Sequence, residues 1–486
     1  MRDLNSFTAK LKNMEIIGRR NELHLLNKLK DNKSSSFVAV YGRRRVGKTF
    51  LIRHAFKNQF DFYMTGMWKV SLSQQLANFH AALIKYDPRS SEKEPAGNWF
   101  MAFQQLSQLL ESRTSGKKVI FLDELPWLDT AQSNFMPALE HFWNSWASAR
   151  TDVILIVCGS AAGWMINKLI SHKGGLHNRV THRIRLEPFT LMECEEFLKY
   201  KQTILDRYQI IQLYMVMGGI PFYLEQINND QSAAQNINRL CFEKDGLLRT
   251  EFDNLYKSLF DNAEKHIAVV ESLSRKTKGM TRGELIQKAN LSTGGSATRI
   301  LGELEESGFI RKYVSYGKKE RNSLYQLADF YSLFYLKFIR KSSALDENSW
   351  INGLDSPEQR TWGGYAFEQV CLAHIKEIKQ ALGISGIQTT TSSWISNGQP
   401  GAQIDLVIDR RDQVINICEM KFSINHFTID KKYADELREK IRIFKEEVKT
   451  RKSLFLTMIT TFGLTKNQHS TSLVQNDLTM DILFGK

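Results

Sequence analysis

Residues 42–49, GRRRVGKT, fit the pattern GxxxxGK followed by Ser or Thr, whose chemistry is the cradling of phosphates. Gly42 and Gly47 let the backbone bend, Arg43, Arg44, Arg45 and Val46 contribute a row of amides, and the helix opening at Lys48 adds its dipole. Lys48 is placed to reach the β- and γ-phosphates of ATP, with the Thr49 hydroxyl expected to ligate Mg2+ and Phe50 beside it. Roughly 75 residues later the run KKVIFLDE ends in Asp123 and Glu124. Asp123 is expected to hold the magnesium through water and Glu124 to polarise the attacking water.

Two further residues extend this set. The run DVILIVCGS ends in Ser160, which fits either sensing of the γ-phosphate or capping of the helix that follows. Within HNRVTHRIRLEPF, Arg179 is a candidate transition-state cation, supplied by the same chain or by a neighbour. An exposed arginine that only meets solvent is the plainer account of it.

A second constellation lies in GAQIDLVIDRRDQVINICEMKFS, residues 401–423. It reads as two strands, AQIDLVI and VINICEMKF, joined by the polar turn DRRDQ. Pairing Ile408 with Val414 puts odd-numbered residues of both strands on one face, so Asp405, Glu419 and Lys421 point the same way. Two carboxylates and an ammonium on one face are costly unless they bind a metal. This is the arrangement of PD-(D/E)xK phosphodiesterases, in which Asp405 and Glu419 would ligate Mg2+ and Lys421 would orient water or steady the phosphate. A surface ion pair on a hairpin explains the same residues.

The elements that must position these groups follow from hydrophobic pattern. Residues 1–190 alternate short β-branched runs with helical stretches, and SFVAVYG, KKVIFLDE and DVILIVCGS are continuously apolar, as strands of a buried parallel sheet should be. Residues 191–262 read as a helical lid, with GGIP at 218–221 between two helices. Residues 263–347 have the grammar of a winged helix-turn-helix: a Thr281–Glu284 capping box opens one helix, LSTGG turns, SATRILGELEESGF forms the second, and a basic two-stranded wing follows. Arg299, Lys318, Lys319 and Arg321 are its natural DNA contacts, although Glu303, Glu305 and Glu306 on the same helix would repel phosphate. Around 348–360 the periodicity lapses and a boundary is expected, with a second α/β unit over 348–486.

These residues together resemble the archaeal-type ATPases of the STAND and AAA-related group, through IIGRRNEL at 16–23, YGRRRVGKTF, FLDELPWL, CGSAAGWM at 158–165 and GGIPFYL at 218–224. The resemblance implies that Gly18 and Arg19 lie against the nucleotide base and that the Gly219–Pro221 turn belongs to a lid responsive to nucleotide state. One departure is Ala161 after Ser160, where the family often carries a second serine. The resemblance further implies a winged helix packed as a mechanical spacer and a C-terminal domain like the PD-(D/E)xK nucleases, in which Glu368 of YAFEQVCLAHI supports the metal site.

Bulk composition is compatible with this reading. A length of 486 residues calls for two to four domains, and 42% hydrophobic with 24% charged residues describes a globular chain rather than a disordered one. The longest apolar run, Val153–Val157, is too short for a bilayer and the N-terminal MRDLNSFTAKLKN lacks a signal core, so no membrane partner and a cytoplasmic location are expected. Five scattered cysteines without a CxxC pair suggest small buried hydrophobes. A net charge of +14 suits DNA as a partner. Three functions remain open: an ATP-controlled nuclease, an ATP-driven switch or DNA-binding regulator with a nucleotide-dependent homo-oligomer, and a small-molecule kinase, disfavoured because the chain has a long helical lid and winged helix but no evident acceptor pocket.

Overall fold

A computed structural model describes residues 16–485 except 115, 171–177, 261, 343–345, 397, 399 and 400. The N-terminal segment assessed above for a signal core lies outside these residues. The chain divides into two compact units, one ending at Pro188 and one beginning at Phe189.

The first unit is built on a five-stranded parallel sheet: β1 (Ser36–Tyr41), β2 (Phe62–Thr65), β3 (Lys118–Asp123), β4 (Val153–Gly159) and β5 (His182–Arg185), in the order β2-β3-β4-β1-β5. β1, β3 and β4 match the three apolar runs read from the sequence, and every residue of β3 and β4 is buried. That is why they carry no alternation, since helices cover both faces. Helix α1 (Arg20–Lys28) precedes β1 and α2 (Lys48–Ala55) follows it. A Ser71–Gln74 capping box then opens α3 (Leu72–Tyr86), whose Leu76, Phe79 and Leu83 enter a core with Trp99, Phe103 and Phe135. The edge strand β2 was not legible beforehand, because FYMT is only four residues long.

The second unit begins with helices. α4 (Arg207–Met217) starts on an Asp206 cap and ends at Gly218, and the Gly219 carbonyl accepts from the Phe189 amide at 2.8 Å. Next comes a three-stranded antiparallel sheet of β6 (Met280–Thr281), β7 (Ile310–Tyr313) and β8 (Leu324–Leu327), ordered β6-β8-β7. Between its strands lie α5 (Arg282–Lys288), opened by the expected Thr281–Glu284 capping box, and α6 (Gly295–Glu306), which buries Ile300, Leu301 and Leu304. The connection from β7 to β8 keeps Lys318, Lys319 and Arg321 exposed.

The final part is a five-stranded mixed sheet of β9 (Thr389–Ile395), β10 (Gln403–Arg410), β11 (Val414–Lys421), β12 (Ser453–Thr460) and β13 (Asn476–Thr479). β10 is antiparallel to both neighbours, whereas β11, β12 and β13 run parallel. Helix α7 (Pro357–Ala373) packs its Phe367 against Phe422, and α8 (Lys431–Val448) places Ala434, Leu437 and Phe444 on the opposite side of the sheet with Val407, Ile415 and Ile417. The stretch 348–360, where a boundary is expected, carries helical structure: Ser349–Asn352 is a short helix, and Ser356 caps α7 with Pro357 at its first position. One expectation needs correction here. The hairpin register differs, since Ile408 pairs with Asn416 rather than Val414. Asp409 and Arg410 continue the strand, so the turn shortens; the shift of two residues leaves odd-numbered residues on one face.

Candidate functional site

The phosphate loop hangs from the carboxyl end of β1. Gly42 has φ 143°, and a Cβ there would sit 2.3 Å from the Leu186 carbonyl oxygen, so only glycine lets the loop leave the sheet this way. Gly47, at φ 92°, is the residue before α2, and its side-chain position faces open space. The Lys48 amine is buried and donates to the carbonyls of Gly42 at 3.0 Å and Arg43 at 2.9 Å and to Ser160 Oγ at 3.1 Å. Burial pulls its pKa down, against the opposing pull of Glu124, Cys158 and Asp123.

Because β4 lies between β1 and β3, the end of β3 comes across to the start of α2. Thr49 Oγ1 donates to the Asp123 carboxylate, 3.0 Å from Oδ2 and 3.2 Å from Oδ1. Burial pushes the Asp123 pKa up, while hydrogen bonds from the Cys158 thiol and the Thr49 hydroxyl act the other way. Glu124 sits at φ 49°, a left-handed conformation costing an L residue about 1–2 kcal/mol, which turns its carboxylate toward the end of β4. There it accepts from the Ser160 amide at 3.0 Å and from Ser160 Oγ at 2.6 Å. Ser160 thus joins Lys48 to Glu124, and the helix that follows carries no side-chain cap.

The structure therefore brings Lys48, Thr49, Asp123, Glu124 and Ser160 into one hydrogen-bonded set. Arg19, at φ 56° beside Gly18, donates from Nη2 to the Val46 carbonyl at 3.4 Å, which ties the start of α1 to the phosphate loop. Arg43, Arg44, Arg45 and Phe50 lie in and after that loop. Arg179 is not part of the set: it is exposed in the turn before β5, with no hydrogen bond or ion pair to the loop among the described residues. Cys158 beneath Asp123 was missed in the sequence, where it passed as one of five buried cysteines.

The C-terminal candidates also meet. Glu368 of α7 has its pKa pushed up to about 8, first by burial, then by the charges of Asp405 and Glu419, with Lys421 and Lys440 opposing. Glu419 is buried, accepts from the Tyr433 hydroxyl at 3.3 Å and pairs with Lys440. Lys421 stands over the Tyr433 ring at 4.8 Å, and Gln403 Nε2 donates to Asp405 at 2.5 Å. Tyr433 and Lys440 come from α8 and had no sequence signal, because only the packing of that helix on the sheet brings them to β11. No group of three His, Cys, Asp or Glu side chains among the described residues is spaced to hold a metal ion. The Glu419 carboxylate, expected to ligate magnesium, is paired here with Lys440, whereas Asp405 accepts from Gln403. Beyond the two sites, no helix of the described residues is long and apolar enough to cross a membrane.

Comparison with known proteins places the first site in context. Residues 16–227 match the family described as an ATPase domain predominantly from Archaea, and that stretch is an archaeal-type ATPase domain. An uncharacterized protein of Methanocaldococcus jannaschii is 24% identical over 430 residues, covering 87% of this chain and 91% of that protein. Among solved structures, a Walker-type ATPase of Pyrococcus abyssi is similar at 14% identity and TM-score 0.47, covering 68% of this chain and all of that one. A signal transduction ATPase with numerous domains from Pyrococcus horikoshii, bearing a tetratricopeptide repeat sensor, is similar at 16% identity and TM-score 0.30, covering 76% of this chain and 52% of that one.

Proposed function

We propose that this chain binds and hydrolyses ATP with Mg2+ and that its nucleotide state controls a DNA-directed, nuclease-like C-terminal region. The observation that carries the first half is the Lys48–Ser160–Glu124 chain beside the Thr49–Asp123 pair. Lys48 supplies a buried positive charge, and the loop amides with the α2 dipole extend it. Thr49 Oγ1 and Asp123 are the residues that would hold magnesium, which supplies charge neutralisation to the phosphates when bound. Glu124 is the base that orients and polarises water, and Ser160 fixes where its carboxylate points. Arg179 stays a candidate for the transition-state charge, reaching the site by movement or from a neighbouring chain in a homo-oligomer.

The second half rests on the second unit. Helices α5 and α6 with the β6-β8-β7 sheet support a winged helix, its exposed Lys318, Lys319 and Arg321 suited to phosphate. The base of that wing is anchored: the Tyr316 amide donates to the Ser393 carbonyl at 2.7 Å and its hydroxyl to Asp409 at 2.9 Å. A wing that moved would pull on the sheet carrying Asp405, Glu419 and Lys421. Purified full-length protein with ATP and magnesium or manganese is expected to nick plasmid DNA, and Glu419→Ala to abolish nicking; intact DNA with every metal would refute cleavage.

A second reading is favoured by the Lys440–Glu419 pair, which satisfies the buried carboxylate without a metal. On that reading the C-terminal region is a binding module and the chain is an ATP-dependent switch. Nucleotide-dependent DNA retention that survives Asp405→Ala and Glu419→Ala would select it.

A further inference from the structure

At the amino ends of β2 and β3, on the opposite side of the parallel sheet from the phosphate loop, lies a cleft of about 860 Å³. That volume is on the scale of small-ligand pockets, roughly 300–1,000 Å³. Its lining carries Lys30, Arg53, Lys57, Lys85, Arg113 and Lys117 against one acid, Asp61. Asp61 is already engaged, by Arg113 at 2.8 Å and by the Val119 amide at 2.8 Å. The remaining five cations have no acid in the lining. Burial, and then the charge of Lys57, pull the Lys30 pKa down, as expected where positive charge is concentrated.

Aromatic surface is interleaved with this charge. Phe60 lies 5.7 Å from Tyr63, and Tyr63 stacks on Phe121 at 5.1 Å. The Arg53 guanidinium stands over the Tyr63 ring at 5.0 Å and donates from Nη2 to its hydroxyl at 2.8 Å. Arg53 Nε is buried and has no acceptor among the described residues, so a strong donor is left unused at the wall of the cleft.

We infer that this cleft is a second nucleotide-recognition site, distinct from the phosphate loop, which binds a phosphate through its cations and packs the adjoining base against Phe60. Cations that track phosphate combined with aromatic platforms are the chemistry by which proteins hold unpaired nucleotides. The same unit occurs in a free mononucleotide and in a single strand of nucleic acid. Arg53 lies on α2, the helix whose first turn carries Lys48 and Thr49, so both sites share one rigid element of about 12 Å. The inference goes beyond the proposed C-terminal activity and does not depend on it.

The test uses the full-length chain carrying Lys48→Ala, so that the phosphate loop does not contribute. A labelled single-stranded oligothymidylate is titrated by fluorescence anisotropy and AMP by calorimetry, each across a salt series. Binding of either is expected, weakened at least about tenfold and with a flatter salt dependence by Lys57→Glu with Lys85→Glu. Arg53→Gln should weaken it as well. Binding of the strand alone identifies nucleic acid as the source, and binding of AMP alone identifies a free nucleotide. No binding of either probe, or binding unchanged in both the Lys57/Lys85 and Arg53 variants, overturns the site whatever the outcome of the plasmid-nicking assay.

Discussion

Ser160→Ala removes one hydroxyl and little else, which makes it a sharp probe of how the ATPase site is organised. The hydroxyl accepts from Lys48 at 3.1 Å and donates to Glu124 at 2.6 Å. Lys48 keeps two backbone acceptors and Glu124 keeps the Ser160 amide, so the fold of the loop and its charge survive. What is lost is a hydrogen bond to a charged group, worth about 1.5–3 kcal/mol. If that bond orients Glu124 as the base, kcat falls roughly 10- to 100-fold at about 1.4 kcal/mol per decade, while KM for ATP changes less than about threefold. Steady-state phosphate release measures both constants. The account also requires non-additivity: with Glu124→Gln already present, Ser160→Ala should cost less than about threefold more. A single variant within about twofold of wild type, or losses that simply multiply, would refute the argument that Ser160 acts through Glu124.

Gly42→Ala should destabilise the first unit, since left-handed strain alone costs about 1–3 kcal/mol and the new Cβ meets the Leu186 carbonyl. Differential scanning calorimetry should show a lower transition for it and little change for Gly97→Ala, where a Cβ has nothing within 4 Å. Acid should weaken the helix pair α5–α6 through Glu284, whose pKa is held down at about 2 by Lys276 and the Thr281 amide against an ordinary value of 4.5. A carboxyl depressed in the folded state contributes stability above its unfolded value and loses it as pH falls. Hydrogen exchange in α5 should therefore rise between about pH 4.5 and 2 in the native chain and lose this pH step in Glu284→Gln.

Legibility tracked the range of the interactions. The phosphate loop, the three buried strands and the Thr281–Glu284 cap depend on neighbours a few residues apart, and their spacing could be read directly. Edge strands such as β2 and β13, four residues each, bury too little to leave a pattern. The start of α7 was not read because polar Asn348–Gln359 resembles a loop, although Ser356 and Pro357 carry the start signal of a helix. Lys440 and Tyr433 reach Glu419 only through tertiary packing of α8, and Arg53 and Asp61 share a cleft only because α2 and β2 pack side by side. The hairpin face survived a wrong register because side chains in a strand alternate with period two.

The central claim is that Lys48 binds the phosphates and Glu124 drives turnover. Isothermal titration of Mg·ATP into wild-type protein, Lys48→Ala and Glu124→Gln, with phosphate release measured on the same samples, tests it directly. The account predicts binding by wild type and Glu124→Gln, none by Lys48→Ala, and turnover by wild type alone. Equal ATP binding by wild type and Lys48→Ala would contradict it.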